Sequence, residues 1–332
     1  MSFTTTILQW FKENGRALPW RETRDPYAIW LSEIILQQTR IEQGRPYWER
    51  FMKRWPTVEA LAQATEDEVL REWQGLGYYS RARNLHTAAQ QVVAMGGFPT
   101  TLEGIKALKG VGDYTAAAIG SIAFDLPAAV VDGNVYRVLS RYFGIDTPIN
   151  TTEGKKEFTE LAQDLLLPAL NREGKGAGLF NQGMMDFGAI QCTPQNPSCP
   201  SCPLAESCVA LREGRIDELP VKQKTLKIKE RQLTYIYIRC NGYTAIHRRP
   251  AGDIWQGLYE PWLTDEVPQG AVLQRQRVKH VLTHRILYAD FWLWETEERP
   301  QLPDDYFWIK EEEVGNYGVP RLIEILLETL NT

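Results

Sequence analysis

No apolar run in the 332-residue sequence approaches the ~18 residues that a membrane span requires, and no basic stretch followed by an apolar core opens it. These absences predict a soluble, cytoplasmic protein with no membrane partner. Internal repeats and low-complexity segments are missing too, and a charged fraction of 24% beside a hydrophobic fraction of 43% excludes global disorder and collagen-like or coiled-coil designs. An excess of positive charge is likewise lacking, with a formal net charge of -5. Spread evenly, that balance would argue against a nucleic-acid partner. It is not even: residues 290–332 carry a net -8, so everything before them sums to +3. Between Lys222 and Arg231 five basic residues face the single acid Glu230, a connector suited to tracking phosphates or simply to staying solvated.

Cysteine is scarce, five in all, an odd number that argues against a disulfide ladder. Four of the five nevertheless fall within seventeen residues: Cys192, Cys199, Cys202 and Cys208, spaced C-x6-C-x2-C-x5-C. Such crowding reads as a metal site, because one ion or cluster needs several thiolates close together. Zinc ribbons bring two C-x2-C knuckles, whereas one such pair flanked by unequal loops suits a single 4Fe-4S cluster, with one thiolate per iron. Pro194, Pro197, Pro200 and Pro203 exclude a helix there, and Cys240 reads as a strand residue.

Apolar positions recur at helical spacing in Ile7–Phe11, Ile29–Leu36, Val69–Trp73, Leu85–Val93, Thr115–Ile122, Val135–Phe143 and Phe158–Leu167. Thr65 with Glu68 forms a capping-box pattern, Ser80 is a candidate cap for the Leu85 helix, and Gly15, Gly75 and Gly144 stand at expected helix ends. After the basic connector the period changes to 2, with Leu233, Tyr235 and Tyr237 alternating against Thr234, Ile236 and Ile238. The stretch Ile286–Trp294 is similarly strand-like, and a last helix, Arg321–Leu330, follows Pro320. The pattern predicts a multidomain chain: an all-α domain over 1–215, a basic linker over 216–231 and an α+β domain over 232–332.

The stretch Leu108-Lys109-Gly110-Val111-Gly112-Asp113-Tyr114 is a tight glycine hairpin between two helices. Gly110, Val111 and Gly112 can expose backbone N–H groups beside a helix start that Asp113 is expected to cap, a seat for a DNA phosphate without side-chain charge. Taken alone, such a turn is more often an ordinary connection. Twenty residues on, Asp132 follows apolar Val130 and Val131 and precedes a helix, as an N-cap would. Hairpin, aspartate and cysteine loop, in that order, resemble the endonuclease III group of helix-hairpin-helix DNA glycosylases, over roughly Ile7 to Leu211. Within that group, Trp30-Leu31-Ser32-Glu33-Ile34-Ile35-Leu36-Gln37-Gln38-Thr39 and Gly75-Leu76-Gly77-Tyr78-Tyr79-Ser80-Arg81-Ala82 are similar to the adenine DNA glycosylases.

The resemblance implies removal of adenine mispaired with 8-oxoguanine or guanine in double-stranded DNA, by a protein expected to act as a monomer. Breaking a purine glycosidic bond needs a better leaving group and a stabilised oxocarbenium ion, hence two carboxyls with different duties. Glu33, on an otherwise apolar helix, fits the proton donor to adenine N7, with a pKa raised by desolvation. Asp132 fits the ionised group beneath the sugar. By the same resemblance Tyr114 and Asn134 position water, sugar and Asp132, while Arg21 and Leu36 lie near the adenine pocket. Gln37, Gln38 and Tyr78 are candidates to fill the stack once the base has been flipped out.

Endonuclease III-like enzymes that also cut the strand carry a lysine two residues after the last hairpin glycine, and here that position is Tyr114. A monofunctional hydrolase is therefore expected, with Lys106 and Lys109 pointing elsewhere. The stretch from Arg248-Arg249-Pro250 to Glu260-Pro261 is similar to the Nudix-like domain of the same family. Val272–Val281, however, is basic and holds no Glu, which argues against pyrophosphohydrolase chemistry. Where the family presents Phe-Ser-His to 8-oxoguanine, this sequence has Leu282-Thr283-His284. Leu282 is expected to pack beside the base and Thr283 and His284 to contact it, or the three form only a turn before the next strand. A pyrimidine-damage glycosylase with lyase activity and a non-catalytic damage-binding module are the alternatives.

Overall fold

The computed structural model describes residues 2–223 and 228–330; residues 224–227, inside the connector expected at 216–231, lie outside the described residues. Among the described residues twelve α-helices come first: α1 (Phe3–Asn14), α2 (Pro26–Ile35), α3 (Ile41–Arg54), α4 (Val58–Gln63), α5 (Glu66–Glu72), α6 (Ser80–Ala94), α7 (Leu102–Lys106), α8 (Asp113–Phe124), α9 (Gly133–Phe143), α10 (Thr152–Leu166), α11 (Ala177–Asp186) and α12 (Val209–Arg212). Strands β1 (Lys229–Arg239), β2 (Tyr243–Arg248), β3 (Tyr259–Leu263), β4 (Val272–Val281), β5 (Arg285–Glu295) and β6 (Tyr306–Lys310) follow, and α13 (Arg321–Leu330) closes the chain. Two compact units result. One takes Met1–Trp48, Arg54–Ala62 and Thr87–Lys224; the other takes Glu49–Lys53, Gln63–His86 and Thr225–Thr332.

In the first unit a core of Ile7, Trp10, Phe158, Phe180 and Phe187, all nearly inaccessible, holds α1, α9, α10 and α11 together. The helix over Phe187–Gln191 is a single π-type turn that ends at Cys192. Two caps differ from expectation. The helix at Leu85–Val93 begins at Ser80 itself, so Ser80 is its first residue rather than its cap. Gly112, not Asp113, is the N-cap of α8. Asp113 is already helical, and its carboxylate turns out to an ion pair with Lys106, so no side chain occupies the first N–H groups of α8. Thr65 and Glu68 do form the capping box.

In the second unit the strands form one sheet in the order β4-β5-β1-β3-β2-β6, with β1 parallel to β5 and the other neighbours antiparallel. Leu233, Tyr235 and Tyr237 enter the core beneath α13, while Ile236 and Ile238 pack on the opposite face beside Trp262, Trp292 and Trp308. The expected period of 2 is present, with both faces of β1 buried. Helix α5 is tied to this sheet by Arg248, whose guanidinium donates to Glu66 at 2.8 Å and to Asp67 at 3.0 Å. Val272–Val281 is an edge strand, and Leu282, Thr283 and His284 form the hairpin tip between β4 and β5, closed by Leu282 N–H donating to Arg285 O at 2.8 Å.

Candidate functional site

A cavity of about 360 Å3 opens among α2, α8 and the start of α9, lined by Leu18, Trp20, Arg21, Ser32, Glu33, Leu36, Tyr114, Asp132, Asn134, Gln182 and Met185, among others. Its size is in the range of small-molecule sites. Helix α2 is capped by Asp25, begins with Pro26, and is buried at Ala28, Ile29, Leu31, Ser32, Ile34 and Ile35. That leaves Glu33 as the one acid on an apolar helix. Burial pushes the Glu33 carboxyl up to about 7, with the nearby Asp132 charge adding to the rise, and a hydrogen bond from Tyr114 and the Arg21 guanidinium opposing it. Tyr114 Oη donates to Glu33 Oε2 at 2.8 Å, and its own pKa lies well above the usual phenol range, first through burial and then through Glu33.

Asp132 enters from the other side as the N-cap of α9. Its Oδ1 accepts the backbone N–H groups of Asn134 at 2.9 Å and Val135 at 2.8 Å, and its Oδ2 accepts the Asn134 side-chain amide at 2.8 Å. Asn134 is oriented in turn by Arg137, whose Nη2 donates to Asn134 Oδ1 at 2.9 Å. Burial raises the Asp132 pKa, and the three donors oppose that rise. The cap and the cavity wall are one residue. The two carboxyls thus differ in their donors: Glu33 has one phenolic donor, whereas Asp132 sits on a helix N-terminus with three.

Arg21 and Leu36 stand at this cavity, as expected. Sequence reasoning missed what fixes Arg21. Asp186, the last residue of α11 and fully buried, accepts from Arg21 Nη1 and Nη2 at 2.8 Å each and also pairs with Arg16. Those partners lie 165 and 170 residues apart in sequence, a separation that no local pattern reports. Gln182 and Met185, one helical turn apart on α11, were missed for the same reason.

Gln37 and Gln38 end α2 differently. Gln37 Nε2 donates to Thr115 Oγ1 at 3.2 Å, while Gln38 is exposed and holds the left-handed backbone with φ 57°. Tyr78, in the second unit, shares that conformation with φ 47°, is 49% exposed, and bonds through its hydroxyl to Thr283. Both wedge candidates therefore sit on strained, solvent-facing backbone. The hairpin glycine Gly110 also turns through the left-handed region (φ 77°); Val111 is buried and its N–H donates to Leu108 O at 3.1 Å, so that N–H is not among the exposed donors expected of the hairpin. At the β4–β5 tip Thr283 and His284 are exposed, but Leu282 is half-buried against the core under α13. Part of the Leu282 side chain is thus taken up by its own domain, and the remainder is open to solvent.

Cys192, Cys199, Cys202 and Cys208 line a single small apolar cavity closed by Arg141, Pro197, Ala205, Leu211 and Ile216. Burial and then the neighbouring sulfurs raise the Cys199 thiol, and burial pushes Cys202 up to about 11. Four thiols crowded in this way can all ionise only around positive charge. Among the described residues no three His, Cys, Asp or Glu side chains converge on a single-ion point. A cubane cluster takes one thiolate per iron, and the four cysteines that line this one cavity supply that number, a donor set that fits such a cluster. Among the described residues no helix is long and apolar enough to cross a membrane.

Comparison with known proteins agrees with this geometry. Residues 31–164 match the family described as HhH-GPD superfamily base excision DNA repair protein, and residues 234–329 match the NUDIX domain. The chain is 36% identical to adenine DNA glycosylase of Buchnera aphidicola over 260 residues, 77% of this chain and 73% of that protein. It is 42% identical to the enzyme of that name from Rattus norvegicus over 233 residues, 66% of this chain but 44% of the longer relative. Among solved structures, a thermostable thymine-DNA glycosylase superposes with a TM-score of 0.57 at 33% identity, covering 64% of this chain and 95% of that one. Endonuclease III trapped on DNA superposes at 0.53 and 21% identity, covering 64% of this chain and 99% of that one, a likeness of fold. At 36% identity over 73% of the Buchnera relative, and with both domain families matched, the chain belongs to the adenine DNA glycosylase family of base-excision repair enzymes.

Proposed function

We propose that this protein flips adenine out of a duplex in which it is paired with 8-oxoguanine or guanine and hydrolyses its glycosidic bond without cutting the strand. The observation that carries the reading is the facing pair in one cavity: Glu33, held near pKa 7 with Tyr114 on its Oε2, and Asp132, held on three donors. At neutral pH a substantial fraction of Glu33 is protonated, so it can deliver a proton to N7 and make adenine a neutral leaving group. Asp132, whose anion is the better solvated by hydrogen bonds, faces the sugar and stabilises the positive charge that develops there. Water then attacks, and the ionised Glu33 can take its proton. Asn134 and Tyr114 act by holding these two carboxyls in place.

Hydrolysis rather than lyase chemistry is supported by the cavity wall, where the described lining residues include arginines, a tyrosine and carboxylates but no lysine. Gln38 and Tyr78 are proposed to fill the gap in the stack, the first turn of α8 to seat a phosphate, and Thr283 with His284 to read the base opposite adenine. Cys192, Cys199, Cys202 and Cys208 would hold a 4Fe-4S cluster, whose four sulfur bonds would cross-link the loop after α11 to the start of α12. The test is a labelled duplex carrying adenine opposite 8-oxoguanine, adenine opposite guanine, or thymine glycol, with and without hot alkali. Loss of adenine from the first two, with breakage only after alkali, is expected. Strand cleavage at thymine glycol without alkali would indicate a lyase, and binding without excision a damage sensor.

A further inference from the structure

Strand β4 is the sheet's outer edge, and its residues alternate in no simple way between buried and exposed: Val272, Leu273, Arg275, Gln276, Arg277 and Lys279 are all exposed. It carries no acid. Register shifts between Leu273 and Arg275 and between Arg275 and Val278 break its ladder with β5, and Arg277 takes the left-handed backbone at φ 50°. Among the described residues Arg275, Arg277 and Lys279 have no ion-pair partner. Arg277 lies over the Tyr288 ring at 5.0 Å, and Lys279 stands opposite the same Tyr288 in the register. Acids are plentiful after β4, where residues 290–332 carry a net -8, yet among the described residues none forms a side-chain ion pair with these three cations; Asp290 accepts the Arg277 backbone N–H at 2.7 Å. The strand runs directly into the tip at Leu282, Thr283 and His284.

From this we infer that β4 is a phosphate rail: Arg275, Arg277 and Lys279 bind the sugar-phosphate backbone of duplex DNA and so hold the β4–β5 tip against it. The inference rests on the reading of the chain as a duplex-binding glycosylase and assigns a DNA contact to its second unit. Charge complementarity decides the occupant. An added protein strand needs a regular, open ladder, whereas the bulges and the left-handed Arg277 interrupt this one, and exposed cations on an edge oppose strand addition. Cations left without acid partners instead suit a polyanion, which releases counterions when each phosphate is neutralised.

The test is the salt dependence of duplex binding by the full-length protein. For R275Q/K279Q, the slope of log K against log salt, from anisotropy titrations between about 50 and 200 mM, should become shallower by about 1.8, roughly 0.9 per lost phosphate contact. The shift should be the same for a fully matched duplex and for one with adenine opposite 8-oxoguanine. R275K/K279R should keep the wild-type slope. An unchanged slope in a folded R275Q/K279Q overturns the rail, and if that variant also self-associates, the charges serve only to guard the edge. A wild type that binds duplex but excises nothing would sink the enzymatic reading while leaving the slope test intact.

Discussion

Replacing Glu33 by Gln should abolish excision and at the same time stabilise the protein, with a pH dependence that follows from where Glu33 sits. The unfolded chain ionises this carboxyl near 4.5, whereas burial in the folded cavity raises it to about 7. Below pH 4.5 both states hold the proton, and the group contributes nothing to the difference between them. As pH rises from 4.5 toward 7 the unfolded state gives up its proton first, so wild-type stability falls. Above about 7 the folded state has ionised as well and the loss levels off. At about 1.4 kcal/mol per pKa unit the full loss approaches about 3 kcal/mol, and less to the extent that cavity water reaches the carboxylate.

Gln at this position keeps the volume and a hydrogen bond with Tyr114 but cannot ionise. The stability gap between E33Q and wild type should therefore widen from pH 5 to pH 8. For a unit of this size it should reach several degrees in the thermal midpoint, at about 2–4 °C per kcal/mol. Thermal unfolding of the two proteins at matched salt across that pH range measures it, with binding to an uncleaved duplex confirming that E33Q is folded. A gap that is constant with pH, or that favours wild type at pH 8, would refute the claim that Glu33 is held protonated by burial. Near-normal excision by E33Q would refute its role as proton donor.

The remaining predictions concern its neighbours. Tyr114→Phe removes the hydrogen bond that lowers the Glu33 pKa, so the descending limb of the single-turnover pH profile should move to higher pH; a limb that stays in place would mean that another group titrates. Borohydride should trap no covalent DNA adduct, since among the described residues no lysine lines the cavity, and a strong trapped band would point to an amine nucleophile. Protein prepared without oxygen should absorb near ~400 nm and carry about four irons per chain, and stoichiometric zinc would overturn the cluster. The double variant T283A/H284A should lower the preference for 8-oxoguanine over guanine by about tenfold, at ~1 kcal/mol per lost hydrogen bond, with adenine opposite guanine still processed. Equal loss on both substrates would mean that the tip is structural.

Much of the helical part of the chain was legible because its signals are local. The caps of α5 and α9, the apolar stripe of α10 and the crowded cysteines each lie within a few residues of chain. Helices α3 and α11 were not legible, for physical reasons. α3 carries Gly44 and Pro46 inside it, residues that read as helix breakers, although Ile41, Trp48, Phe51 and Met52 keep helical spacing. α11 is rich in glycine because it packs close: a Cβ on Gly178 would stand 2.8 Å from Ser121 O. Residues that read as helix breakers are there to let a helix approach α8. The buried Asp186 at the end of that helix, which fixes Arg21 at the cavity, was hidden with it.

Asp132 shows why a sequence-level choice between a structural and a chemical role can be a false one. An N-cap accepts the N–H groups at a helix start, and a carboxylate that must stay charged inside a protein needs such donors. Asn134 N and Val135 N both bond to Oδ1, and Asn134 Nδ2 takes one lone pair of Oδ2, which leaves Oδ2 capacity for what enters the cavity. Capping alone would be served as well by Ser, Thr or Asn. Asp132→Asn should then preserve fold and duplex binding, since its side-chain oxygen still caps α9, while excision drops by at least about 10²-fold for want of the negative charge. Unfolding of D132N, or excision within a few-fold of wild type, would show that the cap is all that Asp132 provides.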